Sequence, residues 1–241
     1  MKALDKHLNN VKTLCFLDLE GTQFSHEMIA MGALKVSIKK DGTIKKIHRG
    51  IYSLVKSKNR VGNVVTELTG ITDAQLKKNG VSFRQVMDML KKYMGRDYTK
   101  CKYVTFGSHD LRIIAQSLAH NLDAKKEDVQ ILIKHNFDLA EFASNYVKDE
   151  NNNNYSLANF LKVFGLEFKG TQHNALSDAI NLAYLYDALL KNKDIMKEEY
   201  MKVLGKMRHL PDPVHSVLED LASGKTVTPQ DFEKYVEESL R

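Results

Sequence analysis

The stretch LCFLDLEGTQFSHEMIAMGALKVSIKKDGTIKKIHRGIYSLV, residues 14–55, decides the architecture. Residues 14–19 form a short apolar run that ends in acid. Met28–Ile38 is rich in apolar residues and exits through Lys39, Lys40, Asp41 and Gly42. Asp-Gly marks a hairpin, because a tight turn of the right twist needs positive φ, and residues 47–55 supply the returning strand. Three antiparallel strands therefore open the chain.

Downstream the period changes from strand to helix. Thr72 with Gln75 and Ser82 with Gln85 fit the capping-box spacing, and Phe83, Val86, Met87 and Leu90 follow at helical intervals. Residues 102–106 read as a strand ending at Gly107, followed by a helix through Leu111, Ile114, Ala115 and Leu118. Asp138 with Glu141 caps a further helix, Ser156 caps residues 157–164, Gly165 stops it, and a long helix runs over about 174–190. Strands first, then strands alternating with helices, predict the α/β class: a mixed sheet, three antiparallel strands followed by parallel ones, flanked by helices. The expected division is a domain over residues 1–190 and a helical C-terminal extension over 191–241, where Thr228 caps and Pro229 opens the last helix.

Composition excludes several classes. The chain has 241 residues, 43% hydrophobic and 27% charged, which suits one sizeable core and rules out a disordered or collagen-like chain. Two cysteines, Cys15 and Cys101, without C-x-x-C spacing leave no basis for a cysteine zinc site or disulfide framework and fit a reducing compartment. Asp18 and Glu20 interrupt the first apolar run before it could act as a signal peptide, and no stretch approaches the ~20 apolar residues of a membrane span. A soluble, cytoplasmic protein without membrane association is expected.

The net charge of +6 is concentrated at the front: residues 1–60 carry 12 basic and 5 acidic side chains. Most of the excess lies in residues 35–60, among them Lys45, Lys46, Arg49, Lys56 and Lys58. Exposed lysines protect a sheet edge, and they also suit a polyanion. With 29 lysines against 7 arginines, contacts to nucleic acid would be mainly to phosphate.

The acids carry the chemistry. Asp18 and Glu20 are two apart on a strand, so both side chains fall on one face, where ionising both is costly unless a cation intervenes. Oxygen-only ligands suit Mg²⁺ or Mn²⁺. Asp110 opens a helix after a strand, where a carboxylate also simply complements the positive helix end. Asp178 lies in the first turns of the long helix GTQHNALSDAINLAYLYDAL, residues 170–189, beside an apolar face that includes Ala175, Ile180, Leu182 and Leu185. His173 must precede that helix in a loop to reach the same point, since five helical residues would turn the two side chains about 140° apart.

The order D-x-E near the start, G-S-H-D at a strand-to-helix junction and H-x-x-x-x-D opening a late helix resembles the DEDDh superfamily of 3′→5′ exonucleases. This DnaQ-like group includes RNase T and the proofreading ε subunit of DNA polymerase III. Residues 16–22 resemble its first motif, residues 29–33 the strand after it, and residues 67–72 its L-T-G-I-T element. Residues 106–112 and 170–179 are closer to the KapD-like and histone-mRNA exonuclease branch, although Ser177 stands where an additional Asp is common.

The resemblance implies an RNase H-like fold and a two-metal-ion 3′→5′ exonuclease acting on single-stranded nucleic acid, RNA favoured over DNA, and releasing nucleoside 5′-monophosphates. It implies that Asp18 bridges two Mg²⁺ or Mn²⁺ ions, that Glu20 and Asp178 complete one site, and that Asp110 supports the other. His173 would take the proton from the attacking water. Leu19, Gly21, Thr22, Leu68, Thr69 and His109 are candidates to touch the 3′ end, with core packing an equal explanation for the two leucines. The basic region at 35–60 would hold upstream phosphates. The extension is a candidate surface for homodimerisation or a protein partner. A DNA exonuclease, an endonuclease of the RNase H type and a non-catalytic nucleic-acid-binding module are the competing readings.

Overall fold

The computed structural model describes residues 2–8, 11–207 and 209–240. Strands β1 (Thr13–Gly21), β2 (Met28–Ile38), β3 (Ile44–Ile47), β4 (Ile51–Leu54), β5 (Lys102–Thr105) and β6 (Asn136–Asp138) form one mixed sheet in the order β3-β2-β1-β5-β6, with β4 also on β2. β1 and β2 are antiparallel, whereas β5 runs parallel to β1 and β6 parallel to β5. The α/β mixed sheet expected from the sequence is thus present. The returning strand is split, because β3 and β4 pair separately with β2 and are interrupted at residues 48–50. Gly50 occupies that break, where a Cβ would lie 2.5 Å from the side chain of Leu176.

The period-2 alternation of β1 builds two cores. Leu14 and Phe16 face one side with Leu34 and Val36, against Ala179, Leu182, Ala183 and Tyr186 of α9 (Ala175–Lys191) and Phe160 and Leu161 of α8 (Leu157–Val163). Cys15, Leu17 and Leu19 face the other, against Phe83, Val86 and Leu90 of α4 (Phe83–Met94) and Ile113 and Ile114 of α5 (His109–His120). Each large side chain so buried contributes about 1.5–3 kcal/mol. Asp18 and Glu20 continue the Leu14–Phe16 face past the point where the α9 core ends.

Capping fixes where helices begin. Thr72 before α3 (Asp73–Asn79) and Ser82 before α4 each make the reciprocal capping box with Gln75 and Gln85. Asp138 caps α7 (Leu139–Ser144) and Ser156 caps α8. Helices α1 (Lys2–His7), α2 (Asn63–Thr69) and α6 (Lys126–Lys134) lie where no sequence signal was read. After α9 come α10 (Lys193–Gly205), which buries Met196 and Val203, and the helices α11 (Asp212–Ala222) and α12 (Pro229–Ser239), neither of which has a buried residue. Thr228 and Pro229 open α12 with a capping box. No helix among the described residues is long and apolar enough to cross a membrane.

One close approach positions α9. Gly32 is the register partner of Asp18, and a Cβ on it would lie 2.1 Å from the carbonyl of Ala175, so the first turn of α9 rests directly on β2 backbone. A side chain at this point forces backbone to move rather than a flexible tip. Gly32→Ala should lower stability by about 2 kcal/mol, seen as a reduced urea midpoint; wild-type stability would contradict the contact.

Candidate active site

The carboxylates meet at the C-terminal ends of the parallel strands, where open α/β sheets place their ligands. Carboxylate oxygens of Asp18 and Glu20 from β1 and Asp178 from the first turn of α9 all lie within 4.8 Å of one another, an arrangement suited to a hard cation. Asp110 reaches the site from α5. β1 and β5 stop pairing after Phe16 and Val104, which frees the Leu19 N–H to donate to Asp110 Oδ1 at 2.8 Å. Asp110 stands outside the compact trio, with its Oδ2 uncommitted by that bond.

The electrostatics are those of trapped like charges. Burial pushes Asp18 well above the usual carboxylate range, and the charges of Asp110, Asp178 and Glu20 push it further. Glu20 is raised to about 8 by burial and then by Asp178 and Asp110. Burial raises Asp110 as well, opposed by the Leu19 N–H. Asp178 is raised to about 6 by burial, offset by His173 and by the backbone N–H groups of His173 and Asn174. Its buried Oδ2 has no hydrogen-bond partner. An unpaired buried carboxylate oxygen beside two further acids is costly unless a proton or cation compensates it.

His173 lies in the loop before α9, exposed, with φ of 61°, a backbone conformation sparsely used by non-glycine residues. The loop is held by a residue that the sequence reading missed. Asn181, fully buried in α9, accepts from Lys169 N–H at 2.9 Å and donates to the carbonyls of Lys169 and Ser177 at 2.8 Å each. Asn174 caps α9 by accepting from the Ser177 N–H, and the Ser177 hydroxyl donates to the same Asn174 oxygen. Ser177, where an acid is common in the resembled family, is therefore occupied in the cap.

Asp138 is committed twice, accepting from Glu141 N–H and from Gly107 N–H, so it fixes the turn that delivers Asp110. The other expected contact residues divide. Leu68 is 53% exposed on α2, and His109 is exposed on the first turn of α5. Leu19 is buried in the α4–α5 core, Gly21 packs against Ile113, and Thr22 is buried with its hydroxyl accepting the Glu27 N–H. Thr69 spends its hydroxyl on Val65 O and Ile71 N–H. His26, at φ of 51°, sets its ring edge-on to His109 with centroids 5.2 Å apart. Burial first, then Arg112, holds His26 below the usual histidine value, and His109 is lowered by burial, His26 and Arg112.

Comparison with known proteins places the fold and the family. The family model described as RNase T, exonuclease, matches residues 15–186. Among solved structures, the nuclease domain of 3′hExo, a DEDDh family member bound to rAMP, superposes with a TM-score of 0.63 at 20% identity, over 76% of this chain and 94% of that one. Cell-death related nuclease 4 (CRN-4) gives 0.59 at 18% identity over 76% and 64%, and E. coli Exonuclease I with a dT13 oligonucleotide gives 0.58 at 14% over 79% and 43%. These likenesses are of fold. No curated protein matched the sequence. Spanning both halves of the carboxylate site from Cys15 to Tyr186, the family match is decisive: the chain belongs to the RNase T exonuclease family.

Proposed function

We propose that the protein is a 3′→5′ exonuclease that uses two Mg²⁺ or Mn²⁺ ions to remove nucleoside 5′-monophosphates from single-stranded nucleic acid, RNA favoured over DNA. The observation that carries this reading is the convergence of Asp18, Glu20 and Asp178 around a buried carboxylate oxygen that lacks a partner. Residues 1–190 would be the exonuclease domain and residues 191–241 its extension, available to a second copy or another protein. The RNA preference draws support from the structural neighbours bound to rAMP and described with a histone mRNA stem-loop.

The donor set fits divalent ions: hard oxygen ligands, excess negative charge and an orphaned oxygen. Asp18, Glu20 and Asp178 would hold one ion and Asp110 with Asp18 a second. When bound, such a pair lowers the pKa of water and neutralises charge on the reacting phosphate. The residues do the rest. His173, exposed on its pinned loop, takes the proton as a water oxygen bonds to phosphorus, and the P–O3′ bond breaks with the 3′ oxygen taking a proton from solvent, to which His173 returns its own. Leu68 and His109 present accessible surface to the terminal nucleotide, whereas Leu19, Gly21, Thr22 and Thr69 would shape its seat largely through backbone.

The decisive assay uses 5′-labelled single-stranded RNA and DNA. A ladder shortening from the 3′ end in Mg²⁺ or Mn²⁺, abolished by EDTA and by Asp18→Asn, is expected. His173→Ala should slow the reaction by about 10²–10⁴-fold. Internal fragments would favour the endonuclease reading, and tight binding without cleavage the non-catalytic one.

A second expectation follows from proton linkage. Glu20 titrates near 8 in the folded chain against 4.5 when free, so the folded state binds more protons between these values. Without metal, its contribution is intact below about pH 4.5 and is lost as pH climbs to 8. Glu20→Gln should therefore gain in melting temperature relative to wild type across that window, most at pH 8. Mn²⁺ should raise the wild-type melting temperature more at pH 8 than at pH 6 and leave Glu20→Gln nearly unmoved. A pH-independent difference would exclude the trapped-charge account.

A further inference from the structure

The basic segment at residues 35–60 does not form one surface. Its hairpin tip is bound to the far end of α9, where the Tyr186 hydroxyl donates to Gly42 O at 2.6 Å. Tyr186 lies eight residues beyond Asp178, about 12 Å along the helix from that carboxylate. Lys35 is spent on Asp97 at 2.7 Å and on Met94 O. The other end of the segment behaves differently.

Residues 56–60 line a cavity of about 590 Å³ with Asp73, Leu76 and Lys77. Lys56, Lys58, Arg60 and Lys77 converge there, and none forms an ion pair among the described residues. The one acid in the lining, Asp73, already accepts the Val61 N–H at 2.9 Å. The loop is built rather than loose. Glu27, 1% exposed, accepts the N–H groups of Lys58 and Asn59 at 2.8 and 3.0 Å and the Asn59 amide at 3.2 Å. A buried carboxylate thus fixes the backbone of the loop that carries Lys56, Lys58 and Arg60, whose side chains form no ion pair among the described residues.

The loop joining β1 to β2 leaves the strand that carries Asp18 and Glu20 and reaches Val61 at the edge of this cavity, and on it Phe24 is 83% exposed. That loop too is pinned: Gln23 N–H donates to Val61 O beside Arg60, and the Thr22 hydroxyl accepts the Glu27 N–H. A lone exposed aromatic is ordinary. One on a hydrogen-bonded loop that links the acidic strand to a cationic cavity has the composition of a single-strand track, in which bases stack on an aromatic face and phosphates lie along cations. The distance suits more than one nucleotide. Lys58 bonds His120 O at the end of α5, and Asp110 lies ten residues back along that helix, about 15 Å away.

We propose that Phe24 and the Lys56–Lys58–Arg60–Lys77 cavity form an upstream subsite that grips the polynucleotide several phosphates before the scissile bond, Phe24 stacking a base and the cavity holding phosphodiester oxygens. It deepens the exonuclease reading and rests on it for the direction of the strand.

The test measures binding in EDTA of an eight-nucleotide single-stranded RNA and of a dinucleotide, across salt, and in parallel hydrolysis of the p-nitrophenyl ester of thymidine 5′-monophosphate with Mn²⁺. K58E/R60E and the milder K58Q/R60Q should weaken octanucleotide binding, by roughly tenfold at low salt for the former, and reduce the salt slope by about 1.4, from ~0.7 per phosphate. F24A should weaken it about tenfold with the slope unchanged. All three should keep wild-type dinucleotide binding and ester hydrolysis, which also reports that they fold. K45E/K46E, equal in charge change to K58E/R60E but at the far end of α9, should bind as wild type. Equal losses in K45E/K46E and K58E/R60E, an F24A variant that binds like wild type, or displacement of the RNA by inorganic phosphate as readily as by oligonucleotide would overturn the subsite. Absence of ester hydrolysis in wild type would instead overturn the catalytic reading, while the binding pattern still decides the subsite.

Discussion

Three carboxylates held within 4.8 Å of one another at the rim of an apolar core repel, and the surrounding structure keeps them together against that repulsion. The alternation of β1 aims Asp18 and Glu20 to the α9 side. Gly32 lets the first turn of α9 settle on bare strand backbone, which brings Asp178 down onto them. The Leu19 N–H, released where β1 and β5 part, holds Asp110. Stability is given up locally: each acid is raised above its ordinary range, and one buried oxygen is left without a partner. Such a cost is sensible where cations complete the site.

The scaffold around the acids is rigid in a particular way. Polar residues outside the candidate site hold the segments that carry its groups. Asn181 fixes the His173 loop, Asp138 fixes the turn before Asp110, and Glu27 fixes the cationic loop. Each is buried or committed through several hydrogen bonds, so each sets the backbone from which His173, Asp110 or Lys58 projects. The Ser117 hydroxyl does the same for the strand, accepting the Met28 N–H at 2.7 Å and tying α5 to the start of β2.

How far this was legible in the sequence depends on whether the signal is local. Period-2 spacing placed Asp18 and Glu20 on one face without any tertiary information, and the paired hydroxyl and glutamine at Thr72–Gln75 and Ser82–Gln85 marked helix starts that the structure repeats. Helix α2 escaped because it follows Gly62 with no side-chain cap, exposes Val64 and Leu68 and buries no residue, so no amphipathic stripe exists to be read. α6 likewise begins without a side-chain cap, and β6 is three residues long. Asn181 looked like any polar residue in a long helix, since its partner Lys169 lies twelve positions away in an irregular loop. The basic stretch is divided for the same reason: Lys45 and Lys46 lie on β3, whereas Lys58, close to them in sequence, is tied to Glu27 and to the end of α5.

Converged acids either take up divalent cations or stay neutral by binding protons, and the two states differ in what they release and bind. Titration of the folded chain with Mn²⁺, following free ion by electron paramagnetic resonance at neutral pH, distinguishes them most directly. The account predicts saturable binding of two ions per chain, displaced by Mg²⁺, accompanied by proton release and lost in Asp178→Asn. Binding that is unsaturable, or that is equal in Asp178→Asn, would contradict it.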